Sequence, residues 1–284
     1  MTIEPDRLLA WTLDARHAYT ARDTKLYALG MGLGADPIDP MQLRFVCDRD
    51  LRALPTLPVV LGYTSGWLAG AKQAIDAPKV VHGEQGLVIH RLPDPAGEVT
   101  SHLIVDEVVD KGEGRGALIY TKREIADAAT GEAIATSYST TFCRGDGGFG
   151  GSTGRDRPVI SVPARPADTS IDWKTLPQQA LIYRLSGDYH MLHSDPEYAR
   201  AAGFPRPILH GLCTYGIAGW MLTASECAGD PARLKELWAR FSAPVFPGET
   251  IRLDLWRETD RVIFEASVEA RSAKVLAQGY AIVA

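Results

Sequence analysis

A series of four strand-like segments occurs twice in this chain, once on each side of a glycine-rich stretch, and this duplication limits the folds open to it. The segments are rich in β-branched and aromatic residues, and turn residues such as those of DPAG, ATGE and FPG separate them. This pattern is typical of antiparallel strands. The segments cover residues 79–90, 97–110, 115–126 and 132–142, and then residues 237–245, 249–257, 261–270 and 274–283.

An apolar segment at 210–229 has no interior proline and precedes the second series. It predicts a buried helix that ends near Gly229 and Pro231. The corresponding stretch of the first half is interrupted by Pro55 and Pro58, which argues against a long helix there. A sheet that loses its helix leaves one apolar face bare, so we expect the first half to hold a cavity for a ligand tail.

The glycine-rich stretch RGDGGFGGSTGRDRPVI lacks any periodicity and is interpreted as a linker. We therefore predict an N-terminal domain at 1–145, a linker at 146–172 and a C-terminal domain at 173–284. The fold class is α+β, with two fused copies of an antiparallel sheet that wraps a helix. The central helix is expected to be degenerate in the N-terminal half.

Charge and hydropathy exclude several classes of partner. The net charge of -5 and a pI near 5.8 argue against a nucleic acid, which requires a basic surface. No uninterrupted apolar run of about 18 residues occurs and the first residues lack a leader pattern, so we expect a cytoplasmic protein without a membrane span. The four cysteines are widely spaced, and we expect reduced, buried thiols.

A weak repeat precedes each series of strands. Tyr19, Asp23 and Tyr27 open the first half, and Tyr183, Asp188 and His193 open the second. In this alignment Tyr27 takes the place of His193, which predicts that the first half is catalytically silent.

The densest group of reactive side chains lies at 183–196, in YRLSGDYHMLHSDP. A carboxylate and an imidazole, Asp188 and His193, can hold one water molecule between them and supply an acid and a base. Because the two residues are five apart, a turn at Gly187 must bring them together. The N–H of Gly211, at the start of the predicted helix, is suited to stabilise a developing oxyanion.

The string SGDYHMLHSDP resembles the signature SGD-x-N-P-L-H-x-D of the MaoC-like, or type 2, enoyl-CoA hydratases. The family's asparagine and proline are replaced here by His190 and Met191. The matching positions are Ser186, Gly187, Asp188, Leu192, His193 and Asp195. Further segments that resemble the family occur in the same order, namely YTARDTKLYALGMG, VVHGEQ, GFPRPILHGLCTYG and RFSAPVFPGETI.

The resemblance implies two fused hot-dog folds and reversible hydration of a trans-2-enoyl-CoA to a (3R)-3-hydroxyacyl-CoA, without a cofactor. It implies that Asp188 and His193 are the acid–base pair and that Gly211 lies at the oxyanion position, with His190 as the second donor. Four further residues are assigned to substrate binding. They are Arg206 and Arg240, as candidates for the coenzyme A phosphates, His210, which orients the loop before the helix, and Glu84.

Alternatives remain open from the sequence. His190, His193 and Asp195 have the chemistry of metal ligands, but the HExxH pattern of zinc helices is absent and we predict no metal. A hot-dog thioesterase would share the scaffold. A non-catalytic acyl-CoA-binding subunit would explain the departures at positions 190 and 191. The acyl-CoA thioester is the expected partner, and both a monomer and a homodimer fit two fused domains.

Overall fold

The computed structural model describes residues 3–63, 66–71, 75–76, 79–154 and 159–284. Ten strands in these residues form one sheet, and every neighbouring pair is antiparallel. The strands are β1 Thr12–Tyr19, β2 Val80–Ile89, β3 Gly97–Asp110, β4 Ala117–Asp127, β5 Ala133–Cys143, β6 Thr169–Lys174, β7 Leu234–Phe241, β8 Thr250–Arg257, β9 Val262–Val268 and β10 Ala273–Val283.

The sheet consists of two halves with mirrored strand order. The first half is ordered β1-β3-β4-β5-β2 and the second β7-β10-β9-β8-β6, so that β2 pairs with β7 at the joint. At this joint a Cβ on Gly86 would lie 2.1 Å from the Trp238 ring, so only glycine lets the indole lie across its partner strand. The mirrored order confirms that the chain is a duplication of one α+β unit.

The predicted strands are confirmed, and two further strands were missed. These are β1 and β6, which form the two outer edges of the sheet. Strand β6 begins at Thr169, so the predicted linker at 146–172 extends too far; its residues 155–158 lie outside the described ranges. In β6 the side chains of Ile171 and Trp173 pack against the core and alternate with charged residues. That period of two is a readable strand signal.

Strand β7 ends four residues before the predicted end at 245, because Pro244 and Pro247 cannot continue a hydrogen-bonded ladder. The thiol prediction also needs one correction. All four cysteines are free, but Cys47 is exposed while the other three are buried.

Helices are few and mostly short. The α-helices are α1 Pro5–Leu9, α2 Ala21–Gly30, α3 Pro40–Leu43, α4 Trp67–Gly70, α5 Gln179–Tyr183, α6 Pro196–Ala201 and α7 Gly211–Glu226. Short 3-10 helices cover Leu57–Val59, Arg184–Ser186, Met191–His193, Pro231–Arg233 and Glu269–Arg271. Within the described ranges, none of the helices combines the length and the apolar character that crossing a membrane requires.

Helix α7 is the predicted central helix, and its residues from Cys213 to Thr223 are all buried. A helix that is apolar on every side must be enclosed by the protein. Two glycines allow this close packing. A Cβ on Gly216 would lie 2.6 Å from the Met31 side chain, and one on Gly219 would lie 2.5 Å from Thr56. The first half therefore covers the helix that the second half supplies.

The first half contains no matching long helix among its described residues, as the prolines predicted. Directly after Pro55 the chain makes a short 3-10 turn at Leu57–Val59, and the carbonyls of this segment need other donors. The guanidinium of the buried Arg123 donates to the carbonyls of Pro58 (3.2 Å), Val59 (2.8 Å) and Leu61. Burial lowers the pKa of Arg123 to about 10. One buried cation thus satisfies the backbone that a helix would have satisfied itself.

The alignment of Tyr27 with His193 was wrong. Tyr27 lies in α2, which follows the first strand of its half, and Tyr183 lies in α5, which follows the first strand of the other half. The two tyrosine rings are both fully buried and lie 5.9 Å apart between centroids. A Cβ on Gly30 would lie 3.0 Å from the Cα of Tyr183, so the two helices pack closely. Tyr27 is therefore the counterpart of Tyr183.

Candidate active site

The residues predicted to carry the chemistry lie on an irregular segment after α5. A 3-10 turn at Arg184–Ser186 ends at Gly187, whose φ of 117° lies in the left-handed region. No atom lies within 4 Å of where a Cβ would stand, so the requirement for glycine is conformational. This turn places Asp188 beside the next 3-10 turn, Met191–His193. The turn predicted at Gly187 is confirmed.

Asp188 and His193 come together, and His210 joins them. One ligand-type atom from each of the three side chains lies within 4.8 Å of the others. The Asp188 side chain is half-buried, and its Oδ1 accepts a hydrogen bond of 3.1 Å from the backbone N–H of His190. A carboxylate and two imidazoles at this separation can share a proton or a water molecule.

The tautomer of His193 follows from its hydrogen bond. Nδ1 lies 2.9 Å from the Ile208 carbonyl, which can only accept, so Nδ1 donates and the neutral ring keeps its lone pair on Nε2. Burial lowers the pKa of His193, although the Ile208 hydrogen bond and the Asp188 charge oppose that shift. The ring is therefore neutral at pH 7, and Nε2 is available as a base.

His210 is buried between the segment 188–193 and α7. Its ring stacks on His193, with centroids 3.7 Å apart and planes inclined by 24°, and its Nε2 donates to the Asp188 carbonyl at 3.1 Å. Burial, with His193 beside it, lowers the pKa of His210 to about 3. With 1% of its surface exposed, His210 offers little to a substrate. These contacts favour a role in orienting the loop over direct substrate binding.

Gly211 is the first residue of α7, where backbone N–H groups have no partner within the helix. A Cβ at this position would lie 3.2 Å from the Phe241 ring. Glycine therefore leaves the amide open to a close approach, with the positive end of the helix dipole behind it.

His190 replaces the asparagine of the family signature and caps the turn that carries His193. Its Nδ1 accepts a hydrogen bond of 3.3 Å from the Leu192 N–H, so Nε2 carries the proton in the neutral ring. The exposed ring packs edge-on against Tyr198, with centroids 5.3 Å apart. An N–H donor is thus present at the position where the family has an amide.

The other predicted binding residues make no hydrogen bond to Asp188 or His193 among the described residues. Arg206 is exposed, donates to the Pro247 carbonyl at 3.2 Å and lies over the Phe246 ring. Arg240 is exposed on β7, in register with Glu84 on β2. The Glu84 carboxylate accepts from the Thr140 hydroxyl at 3.0 Å. Each arginine is an accessible cation, and Glu84 lies at the joint between the halves.

His82 of the first half also borders the site, although the sequence analysis assigned it no role. Its ring lies 4.8 Å from Phe241, the residue that packs beside Gly211, and its Nε2 lies 3.0 Å from the Ser139 hydroxyl. Burial lowers the pKa of His82 to about 4, and the charge of Asp188 opposes that shift. The HGEQ segment was the available signal, but its proximity depends on the pairing of β2 with β7.

The predicted metal alternative used other residues than those the fold brings together. The Asp195 carboxylate accepts from the N–H groups of Glu197 and Tyr198 and caps α6, while His190 caps its own turn. The three side chains that the fold does bring within ligand distance of one another are Asp188, His193 and His210, of which only His193 was in the predicted set.

The duplicated sheet, the enclosed helix and an Asp–His pair beside the N-terminal cap of that helix define a double hot-dog protein. Residues 159–278 match the MaoC like domain, and residues 17–145 match the MFE-2 hydratase 2 N-terminal domain. The chain belongs to the family of MaoC-like dehydratases and type 2 enoyl-CoA hydratases.

Similar proteins span nearly the whole chain. This chain is 40% identical to 3-hydroxyacyl-thioester dehydratase Y of Mycobacterium tuberculosis, and the match covers 94% of this chain and 92% of that protein. It is 38% identical to the peroxisomal enoyl-CoA hydratase 2 of Arabidopsis thaliana, covering 97% and 94%. The crystal structure of a MaoC-like dehydratase from Phytophthora capsici has a TM-score of 0.88 at 34% identity, covering 99% and 98%.

Proposed function

We propose that this enzyme reversibly hydrates trans-2-enoyl-CoA to (3R)-3-hydroxyacyl-CoA. The observation that carries the proposal is the meeting of Asp188 and His193 with His210, the residue that directly precedes the first amide of α7. The names of the similar proteins from Mycobacterium tuberculosis and Arabidopsis thaliana support the same reaction.

The thioester oxygen would accept hydrogen bonds from the Gly211 N–H and from Nε2–H of His190. Electron density then moves from the double bond toward this oxygen, which makes C3 electrophilic. A preorganised donor of this kind is worth roughly 10²–10³-fold in rate, because it stabilises charge that develops only in the transition state.

A water molecule held between the Asp188 carboxylate and His193 Nε2 would then attack C3. The neutral Nε2 takes one proton from this water as the C–O bond forms, and Asp188 accepts a hydrogen bond from the other hydrogen. The imidazolium returns its proton to C2, so the hydroxyl is on C3, the hydrogen is on C2 and both side chains regain their starting state. General acid–base catalysis of this kind contributes roughly 10²–10⁴-fold.

The substrate would lie across the joint between the halves. Its coenzyme A phosphates require local cations, because the chain as a whole carries a net charge of -5. Arg206 and Arg240 are exposed and meet that requirement. We assign the acyl tail to the N-terminal half, where the segment at Pro58 and Val59, whose carbonyls are bonded to Arg123, replaces a helix.

The decisive experiment incubates the protein with crotonyl-CoA and with a longer trans-2-enoyl-CoA. We expect loss of the ultraviolet enoyl-thioester band without release of free thiol, and chiral chromatography of the hydrolysed product should give the 3R acid. Thiol release would instead identify a thioesterase. Binding without turnover would identify a non-catalytic subunit, and a mainly 3S product would overturn the stereochemical assignment.

The cytoplasmic location and the assembly of two chains into a homodimer stay predictions. Cell fractionation tests the first and light scattering of the purified protein tests the second.

A further inference from the structure

The His210 side chain contacts separate parts of the candidate site. It stacks on the imidazole of His193 at 3.7 Å and donates to the carbonyl of Asp188 at 3.1 Å. It is also the residue that immediately precedes Gly211, at the N-terminal cap of α7. The acid–base pair and the oxyanion donor therefore share one buried side chain as a common support.

Packing alone does not account for a histidine here. The Nδ1 atom of His210 is buried and has no hydrogen-bond partner among the described residues. An unsatisfied buried acceptor costs roughly 1–3 kcal/mol, so a phenylalanine would fill the same space more favourably. The atom that distinguishes histidine from phenylalanine in a contact is Nε2, and its partner is the Asp188 segment.

The stack needs an uncharged ring. The charged or titratable groups that face this ring are Asp188, His193, Arg184 and Tyr183, and His190 lies next to His193 with centroids 6.2 Å apart. Because burial keeps His210 neutral, it does not repel the imidazolium that forms on His193 during turnover. It also shields that ring from water.

We propose that His210 is a positioning residue, which aligns Asp188 with His193 through its Nε2–H and covers the His193 ring through the stack. This inference rests on the proposed hydration reaction. It replaces the substrate-binding role that the sequence predicted for His210.

Two substitutions separate the two contacts. His210→Phe keeps a stacked ring but removes the donor to the Asp188 carbonyl. We expect the fold to be at least as stable as in the wild type and kcat to fall by about 10- to 100-fold. That is the range expected when a catalytic group is displaced by up to about 1 Å. His210→Gln keeps an N–H donor but uncovers His193. The pKa of His193 should then rise toward its ordinary value, and the acid limb of kcat/KM should move to higher pH.

The experiment measures kcat, KM, thermal stability and the pH profile of kcat/KM for the wild type, both variants and the control His102→Gln. His102 is exposed on β3 and bonded to Asp14, so its change should alter none of these quantities. Unchanged kcat in His210→Phe together with an unmoved acid limb in His210→Gln would overturn the proposal. A rise in KM alone would show a substrate contact instead.

An NMR titration of the His193 ring in the wild type and in His210→Gln completes the test without requiring turnover. The proposal expects a higher pKa of His193 in the variant, and equal values would contradict it. If the wild type fails to hydrate any enoyl-CoA, the proposed reaction is wrong, while this titration still decides whether His210 governs His193. If His210→Gln does not fold, the split between kcat and KM in His210→Phe decides.

Discussion

Replacement of His190 tests whether an imidazole can serve where the family signature has an amide. His190 has two separable functions, since Nδ1 caps the turn Met191–His193 and Nε2–H is free to donate. His190→Ala removes both. We expect kcat to fall roughly 10²-fold, the loss caused by removing one oxyanion donor. We also expect the free energy of unfolding to fall by about 1 kcal/mol from the lost cap.

Two further substitutions at this position assign the losses. His190→Asn supplies a capping oxygen and an N–H donor, so it should keep kcat within about tenfold of the wild type. His190→Ser keeps a capping oxygen but is too short to reach the thioester, so its stability should be retained while kcat falls as in the alanine variant. Steady-state hydration of crotonyl-CoA and urea unfolding give both quantities. Near-wild-type kcat in His190→Ala would show that His190 is not an oxyanion donor and would leave the Gly211 N–H as the sole donor to the thioester oxygen.

Further predictions concern the acid–base pair and the buried cation. Asp188→Asn and His193→Ala should each reduce kcat at least tenfold without loss of the fold; a variant that keeps more than about a tenth of the wild-type kcat would show that the pair is misassigned. Because burial lowers the pKa of His193, the acid limb of kcat/KM should lie below 6.5 and activity should disappear only as pH falls through that lower value; a limb above 6.5 contradicts this. Arg123→Met should lower the free energy of unfolding, measured in urea, by roughly 3 kcal/mol. Three carbonyls lose their donor, and removal of a desolvated charge offsets part of that loss. An unchanged unfolding midpoint would show that Arg123 does not hold this backbone segment.

The sequence contained enough information for most of the fold. Strands β2–β5 and β8–β10 follow from local composition, and α7 follows from an apolar run without proline. The outer strand β1 was missed because it is half-exposed and charged, as TLDARHAY shows. The pairing of β2 with β7 could not be predicted, because it depends on how two complete halves meet and not on any local pattern.

Some residues of the candidate site could likewise be predicted from a local motif, and others could not. Gly187, Asp188 and His193 lie within seven residues, so a short motif could identify them. The stack of His210 on His193 arises because the chain returns 17 residues later to begin α7, which no local rule specifies. Likewise, His82 reaches the site only through the joint between the halves.

The corrected correspondence of the halves explains why one of them has no acid–base pair. Tyr27 and Tyr183 are counterparts that pack against each other. Five residues after Tyr183 lies Asp188 and ten residues after it lies His193, whereas the same steps from Tyr27 reach Gly32 and Pro37.

A glycine and a proline have no side chain that transfers a proton, so we still expect the first half to be catalytically silent. Its central segment was then free of catalytic constraint. There Arg123 holds an irregular backbone, while the second half keeps an intact helix whose first amide we assign to the thioester oxygen. Under the proposed function, duplication lets one copy change the space around the acyl tail without disturbing the chemistry of the other.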